Sequence, residues 1–312
     1  MAKPRVCVVG SCNLDLTFRT ARLPKSGETL AGQSMQLAFG GKGANQAVMA
    51  ARLGAAVAMV GCVGTDLFGD HVLRHLQSEG IDVRHLRRAT AHSTGVAAIV
   101  VDDAARNSIL VVPGANGALT PDDARAAASA IQGADVLLCQ LEVPVETTIE
   151  ALRIAKAGGV RTILNPAPAA PLSDELVALA DYCVPNETEI EVLTELPATT
   201  DAKARKAVLA LRPRGAGVVL LTRGEQGVLI ADGQEMTQVP SVRVHAVDPT
   251  GAGDAFIGAF AVFLVEGLIL AEAVRRAAVV AALTVTKPGA QPSFPSRAEA
   301  EAFLAKMATT IV

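Results

Sequence analysis

The stretch "VDPTGAGDAF" at residues 247–256 sets two glycines, a proline and two aspartates directly before the apolar run "FIGAFAVFLVEG". The run reads as a helix, so Gly251, Ala252 and Gly253 would present consecutive backbone N–H groups at its N-terminus. That end of a helix carries partial positive charge and binds anions. Glycines there remove the side chains that would block a phosphate. An acid at the next position, Asp254, can accept a proton from a substrate hydroxyl while phosphoryl charge builds over the N–H groups. Aspartate also caps helices, but capping does not require two glycines ahead of it.

Outward from this stretch the chain alternates short β-branched runs with Ala-rich amphipathic runs. "RVCVVG" (5–10), "VAMVGCVG", "DVLLCQLE", "VRTILNPAP", "YCVPN" and "GVVLLTRG" read as strands. "GANQAVMAARLG" (43–54), "FGDHVLRHLQSEG", "TPDDARAAASAIQG", "VETTIEALRIAKAGG", a short segment near 173–180 and a pair at 252–285 read as helices, with Thr120 as a cap and Pro121 in the first turn. Such alternation predicts βαβ units around a mainly parallel sheet. Two places break it: "LDLTFRTARLP" with "QSMQLAF", and "GVAAIVVDD" with "NSILVVPG", the second turning at "DDAARN". These read as paired strands forming a flap over a site. A (β/α)8 barrel is the competing fold, and the extra strand pairs together with the long helix pair favour an open sheet.

Two further stretches carry chemistry. "GGKGANQA" (40–47) clusters glycines around Lys42 at the opening of a helix. It is not a P-loop, because Gly43 follows Lys42 and the GxxxxGK[ST] spacing is absent. The glycines would let backbone approach a ligand, with Lys42 and Asn45 offering hydrogen bonds; a flexible turn is the plainer reading. In "GSCNLDL" (10–16), Asn13 and Asp15 follow a strand where open α/β sheets meet their ligands. Two apart in extended chain, they share a side and suit the vicinal hydroxyls of a sugar, a solvated turn being the alternative. Glu142 follows an apolar strand and falls at its C-terminal end, where a lone acid reads equally as surface or site. "NETE" puts Asn186 and Glu189 on one helix face, suited to a hydrated Mg²⁺; alone, Glu189 reads as a solvated charge. His71 and His75, four apart, could pair on a metal, but no third ligand stands near and surface histidines are the simpler reading. There is no Gx[ST]xG elbow, and "GAGDAFIG" is not GxGxxG, since Phe256 breaks it.

Composition bounds the partners. In 312 residues the net charge is −3, and aromatics make up 3% with one Tyr and no Trp. Nucleic-acid binding wants a basic face and stacking rings, so a small polar substrate fits better. Five dispersed cysteines with no CxxC pair suggest reduced thiols and a cytoplasmic location. No run approaches a membrane span, and no signal-peptide segment opens the chain.

At "GGKGANQAVMAARLG" and "DPTGAGDAFIGAF" the chain resembles the ribokinase-like (PfkB) carbohydrate kinases, matching the N- and C-terminal signatures of that family. "STGVAAIVVDD", "VVPGANGALT", "LLCQLEVPVETT", "NPAPA", "VPNETE", "LTRGEQGV" and "TVTKPGAQPS" extend the resemblance over essentially the whole chain. The resemblance implies one domain over 1–312, a three-layer α/β/α sandwich with a small β-sheet lid from about 14–38 and 94–113. It implies phosphoryl transfer from ATP to the 5-hydroxyl of D-ribose, with Asp254 as base beside Gly251, Ala252 and Gly253. Asn13, Asp15, Gly41, Lys42, Asn45 and Glu142 would bind the sugar. Asn186 and Glu189 would position phosphate and hydrated Mg²⁺, and Thr222, Gly224, Gly227, Gly253 and Ala278 would line the nucleotide site. Asp248, Thr250, Thr284, Lys287, Gly289 and Ser293 match positions that hold K⁺, some through main-chain carbonyls. A homodimer through the lid is expected, with no nucleic-acid or membrane partner. Pro249 stands where the signature varies. A sister kinase acting on a fructose-type sugar or a nucleoside stays open, although few aromatics are present to clamp a nucleoside. So does a catalytically silent sugar-binding protein on the same fold, against which Asp254 and its glycines weigh.

Overall fold

In the strand Arg5–Val9, Val6 and Val8 enter one hydrophobic cluster while Cys7 and Val9 enter another. The same split divides Val136 and Leu138 from Leu137 and Cys139. A strand buried on both faces must lie between two layers of helices. The computed structural model, which describes residues 3–104 and 106–309, is built in this way.

In chain order the strands are β1 Arg5–Val9, β2 Asn13–Thr20, β3 Ser34–Gly40, β4 Ala56–Gly64, β5 Asp82–Ala89, β6 Gly95–Asp102, β7 Asn107–Val112, β8 Val136–Cys139, β9 Arg161–Leu164, β10 Tyr182–Cys183, β11 Val218–Thr222, β12 Val228–Asp232 and β13 Glu235–Val239. The α-helices are α1 Lys42–Arg52, α2 Leu67–Ser78, α3 Pro121–Ala126, α4 Ala128–Gln132, α5 Val145–Ala157, α6 Asp174–Ala178, α7 Glu187–Thr194, α8 Asp201–Ala210, α9 Ala252–Val265, α10 Leu270–Thr284 and α11 Arg297–Thr309. The large sheet runs β13-β12-β11-β10-β9-β8-β1-β4-β5 and is parallel from β11 to β5. It has two free edges, which excludes a closed barrel. Residues of α1, α2, α9 and α10 fill the cluster on one face, and those of α3 to α8 fill the other.

A second sheet of order β3-β2-β6-β7 gathers the two strand pairs that broke the alternation. β2 and β6 pair in parallel at its centre, while β3 and β7 form antiparallel edges. Ala105, in the expected turn of the second pair, lies outside the described residues.

The structure departs from the sequence reading in several places, the unread helices α8 and α11 among them. "TPDDARAAASAIQG" is two short helices, parted at Ala127 (φ −93°, ψ 8°). β5, "DVRHLRRA", was not expected; as the outermost strand it carries arginines on a half-exposed surface and lacks an apolar run. β12 and β13 form an antiparallel hairpin around Gly233 at the other edge, also unread.

Candidate active site

Asp254 is buried in the first turn of α9. Its Oδ2 accepts a hydrogen bond from Asn45 Nδ2 at 2.9 Å and its Oδ1 one from Gln46 Nε2 at 3.1 Å. Both donors stand on α1, in the stretch where the sequence placed a ligand loop. Gln46 Oε1 in turn accepts from Gln140 Nε2 at 2.6 Å. The carboxylate is therefore clamped by two amides before any substrate arrives.

Asn13 and Asp15 lie on one face of β2, as their spacing requires. The Asp15 carboxylate lies over Gly40, where an added Cβ would stand 2.2 Å from Oδ2, so any side chain there would displace the carboxylate. Asn13 Oδ1 accepts from Asn116 Nδ2 at 2.7 Å, and Asn116 also bonds both backbone polar groups of Cys12. Glu142 Oε2 accepts from Ser11 Oγ at 2.5 Å and from the Lys42 backbone N–H at 2.9 Å. Gly41, the N-cap of α1, takes φ 85° and leads the chain back against β2.

These groups share one electrostatic field. Burial, then the neighbouring carboxylates of Glu142 and Asp254, push Asp15 up to about 6. Burial also raises Asp254; Lys42, Asn45 and Gln46 act the other way, and Glu142 adds to the rise. Burial works to lower Lys42, but Asp254, Glu142 and Glu189 outweigh it and its pKa is raised, so Lys42 stays a cation among three acids.

Lys42 and Asp254 also border a cleft of about 920 Å³, lined further by Asn186, Glu189, Thr222, Gly224 and Ala278. The α9 N-terminus faces it. Ala252 spends its N–H on Pro249 O at 3.2 Å, which corrects its expected place among the free donors. The N–H groups of Gly251, Gly253 and Asp254 find no acceptor among the described residues. A Cβ on Gly253 would meet nothing within 4 Å, so packing does not demand glycine there. The space it leaves belongs to the cleft.

Glu189 and His75 turn out differently from their plainest readings, and Gly227 serves packing as well as the cleft. Glu189 is no solvated charge: it is buried in a capping box, with Oε2 accepting from Asn186 N and Oε1 from Asn186 Nδ2, both at 2.9 Å. Gly227 borders the cleft, but a Cβ there would stand 2.1 Å from Val239 O, so it is glycine to admit the chain at the end of β13. His75 is half-buried, stacked on Phe39 with centroids 3.9 Å apart, and is not a free surface histidine.

Asp248 joins the approach to α9 to the loop after α10. Its Oδ1 accepts from Thr250 N at 2.9 Å and its Oδ2 from Gly289 N at 2.8 Å. Burial pushes its pKa up, but hydrogen bonds from Thr250 and Gly289 outweigh this and hold it below the usual carboxylate range. No cationic side chain among the described residues pairs with it. Lys287 instead points its amine to Glu299 at 3.1 Å. Thr284 and Ser293 donate their hydroxyl protons to Val280 O and Ala290 O, which leaves the lone pairs of each hydroxyl oxygen unspent. Among the described residues no group of three or more His, Cys, Asp or Glu could hold a metal ion.

The sequence reading missed Ser11, Gln46, Asn116, Gln140 and Gln291. Each stands inside or beside a quoted motif, yet amides and hydroxyls carry no spacing signal, and their partners lie far off in sequence.

Residues 3–297 match the sequence profile described as "pfkB family carbohydrate kinase". The chain is 42% identical over 297 residues to the ribokinase of Haemophilus influenzae, covering 95% of this chain and 97% of that protein. It is 41% identical over 292 residues to the deoxyribokinase of Salmonella typhi, covering 93% and 95%. The Arabidopsis thaliana ribokinase solved with ribose and ATP superposes with a TM-score of 0.90 at 33% identity, over 97% of this chain and 99% of that one.

Proposed function

The chain belongs to the pfkB family of carbohydrate kinases, and we propose that it transfers the γ-phosphoryl group of ATP to the 5-hydroxyl of D-ribose, giving D-ribose 5-phosphate and ADP. One observation carries the reading: Asp254 stands where a carboxylate-lined niche meets a cleft faced by free helix N–H groups. A hydroxyl held in the niche, by Asn13, Asp15, Gly41, Lys42, Asn45 and Glu142, loses its proton to Asp254 as its oxygen attacks phosphorus. The N–H groups of Gly251, Gly253 and Asp254 take up the charge that builds on the phosphoryl oxygens. Lys42 offsets the negative charge gathered between the two sites. Thr222, Gly224 and Ala278 line the nucleotide's place. Mg²⁺, when bound with ATP, neutralises charge on the phosphates. Asn186 and Glu189 fit a role toward its waters, because their capping box leaves lone pairs on the cleft side and small hydrated ions keep several waters.

The 41% identity to a deoxyribokinase supports a second acceptor, 2-deoxy-D-ribose. A niche built to pair each hydroxyl rejects analogues lacking one, because its buried partners are then left unpaired. In a coupled assay over D-ribose, 2-deoxy-D-ribose, D-fructose and adenosine, D-ribose is expected to lead in kcat/KM by at least ~10². A lead by any of the others assigns the enzyme to that acceptor instead.

Potassium is proposed to activate the enzyme. The ionised Asp248 has no cationic partner among the described residues, and the carbonyls of the loop around Gly289 would complete an oxygen site. Held there, the ion fixes the approach to α9. Replacing potassium by tetramethylammonium should lower the rate several-fold, and Asp248→Ala should abolish that response. A rate indifferent to the cation removes the ion from the enzyme.

The small sheet is proposed as a lid and dimer interface. Met35 and Leu37 on β3, and Ile109, Leu110, Val111 and Val112 on β7, are exposed on its two edge strands. Such edges invite pairing. Light scattering at micromolar concentration should give twice the 32.0 kDa chain mass, and a monomer mass refutes the dimer. All five cysteines are free and buried, which suits a reducing cytoplasm. No described helix is long and apolar enough to cross a membrane.

A further inference from the structure

A chain of hydrogen bonds leads from α2 to Asp254, and its polarity is fixed at one end. A carboxylate can only accept, so Asn45 must turn its Nδ2 to Asp254, at 2.9 Å. Asn45 Oδ1 then faces Gln291 and accepts from Gln291 Nε2 at 2.9 Å. Gln291 Oε1 in turn lies 2.6 Å from His75 Nε2, which must carry the proton. Every link donates toward the base. Asn45 and Gln291 are buried, while His75 is half-buried. The loop bearing Gln291 is itself pinned to α1, because Arg52 Nη1 donates to Gln291 O at 2.6 Å and to Phe294 O at 3.1 Å.

The far end of the chain is held by the small sheet. Phe39 of β3 stacks on the His75 ring at an interplanar angle of 1° and 3.9 Å between centroids. Phe39 follows Ala38, which is paired with Asp15 across β2 and β3. A shift of that strand therefore moves the ring that orients Gln291.

We propose that His75 and Gln291 are positioning residues for Asp254, and that Phe39 links their alignment to the seating of the small sheet. With Asp254 taken as the base, loss of the His75 N–H frees Gln291 to flip its amide. Its oxygen would then oppose Asn45 Oδ1, Asn45 would turn in response, and the carboxylate would lose one of its two clamps. The base would sit misaligned for the hydroxyl, although the nucleotide cleft, which neither His75 nor Gln291 lines, stays intact.

Gln291 lies in the loop proposed for potassium, so the test is made at His75. His75→Phe keeps a ring against Phe39 and removes the donor. His75→Gln removes the ring and restores an N–H at the position of Nε2. His75→Phe should lower kcat about tenfold, a misplacement effect, with KM for ATP unchanged, and His75→Gln should recover most of that loss. A packing role predicts the reverse order. Wild-type kcat in His75→Phe, or equal losses in both variants, overturns the proposal. If neither His75 variant folds, Phe39→Leu reads the same chain from its other end: kcat falls at constant KM for ATP, and an unchanged kcat overturns it. Asp254→Asn is run alongside; full turnover there removes the base itself, a result separable from any outcome at His75.

Discussion

Asp254→Asn will lower kcat by ~10²–10⁴, the usual cost of losing a general base, while KM for ATP stays close to wild type. The amide cannot take the hydroxyl proton; it fills the same space between Asn45 and Gln46 but accepts through one oxygen only, so its own NH₂ group opposes one of those two donors. Stability should fall far less than activity, because two effects of the substitution oppose each other. Burial raises the Asp254 carboxyl above its ordinary pKa. The sign follows: a raised carboxyl costs the folded state stability once pH climbs above its unfolded pKa, so at neutral pH the neutral variant is relieved of that cost. That relief offsets part of the cost of the lost hydrogen bond, so a melting temperature close to wild type, together with collapsed turnover, is the expected pair of results. Near wild-type kcat would remove Asp254 from the mechanism.

Gly253 gives the second large effect, and it separates packing from ligand space. A Cβ there meets no protein atom within 4 Å. Gly253→Val should fold normally and lower turnover by ~10²–10³, the scale of losing one preorganised donor to developing charge. Gly253→Ala, in the same helical turn, should gain up to ~1 kcal/mol of stability from helix propensity and still lose turnover. Thermal melting and steady-state kinetics on the two variants decide this. Unchanged kcat in Gly253→Val would place the transferred phosphoryl away from the α9 N-terminus.

The contrast between Gly253 and Gly227 marks what a sequence can carry. Both are glycines beside the same cleft, one leaving room for a ligand and the other for Val239 O. No local pattern distinguishes them, because the atom that excludes a side chain at Gly227 arrives from a strand outside the motif. Asp254 was legible because its meaning is local: acid, glycines and helix start are contiguous. Asn13 and Asp15 were legible from the two-residue strand period. Of the two amides that clamp the base, Asn45 was named through its motif and Gln46 was not, since Gln46, like Gln140 and Gln291 behind the clamp, acts through partners dozens to hundreds of residues away. In the fold, buried parallel strands announced themselves by continuous apolar runs, whereas β5 hid because an edge strand tolerates charge. The β12–β13 hairpin carried a legible "DG" turn that the strand–helix alternation masked.

The parallel register of β2 with β6 bears on how the molecule assembles. Asn13 pairs with Gly95 and Thr20 with Asp102, so the centre of the small sheet joins segments flanking the whole α1–β4–α2–β5 unit. Closing such a distant contact costs chain entropy that no local turn offsets, and topologies of this kind fold slowly. Asp15 and Phe39 reach their stations only after that closure. Refolding from denaturant should therefore restore helical circular dichroism before sugar turnover, with activity the last property to return.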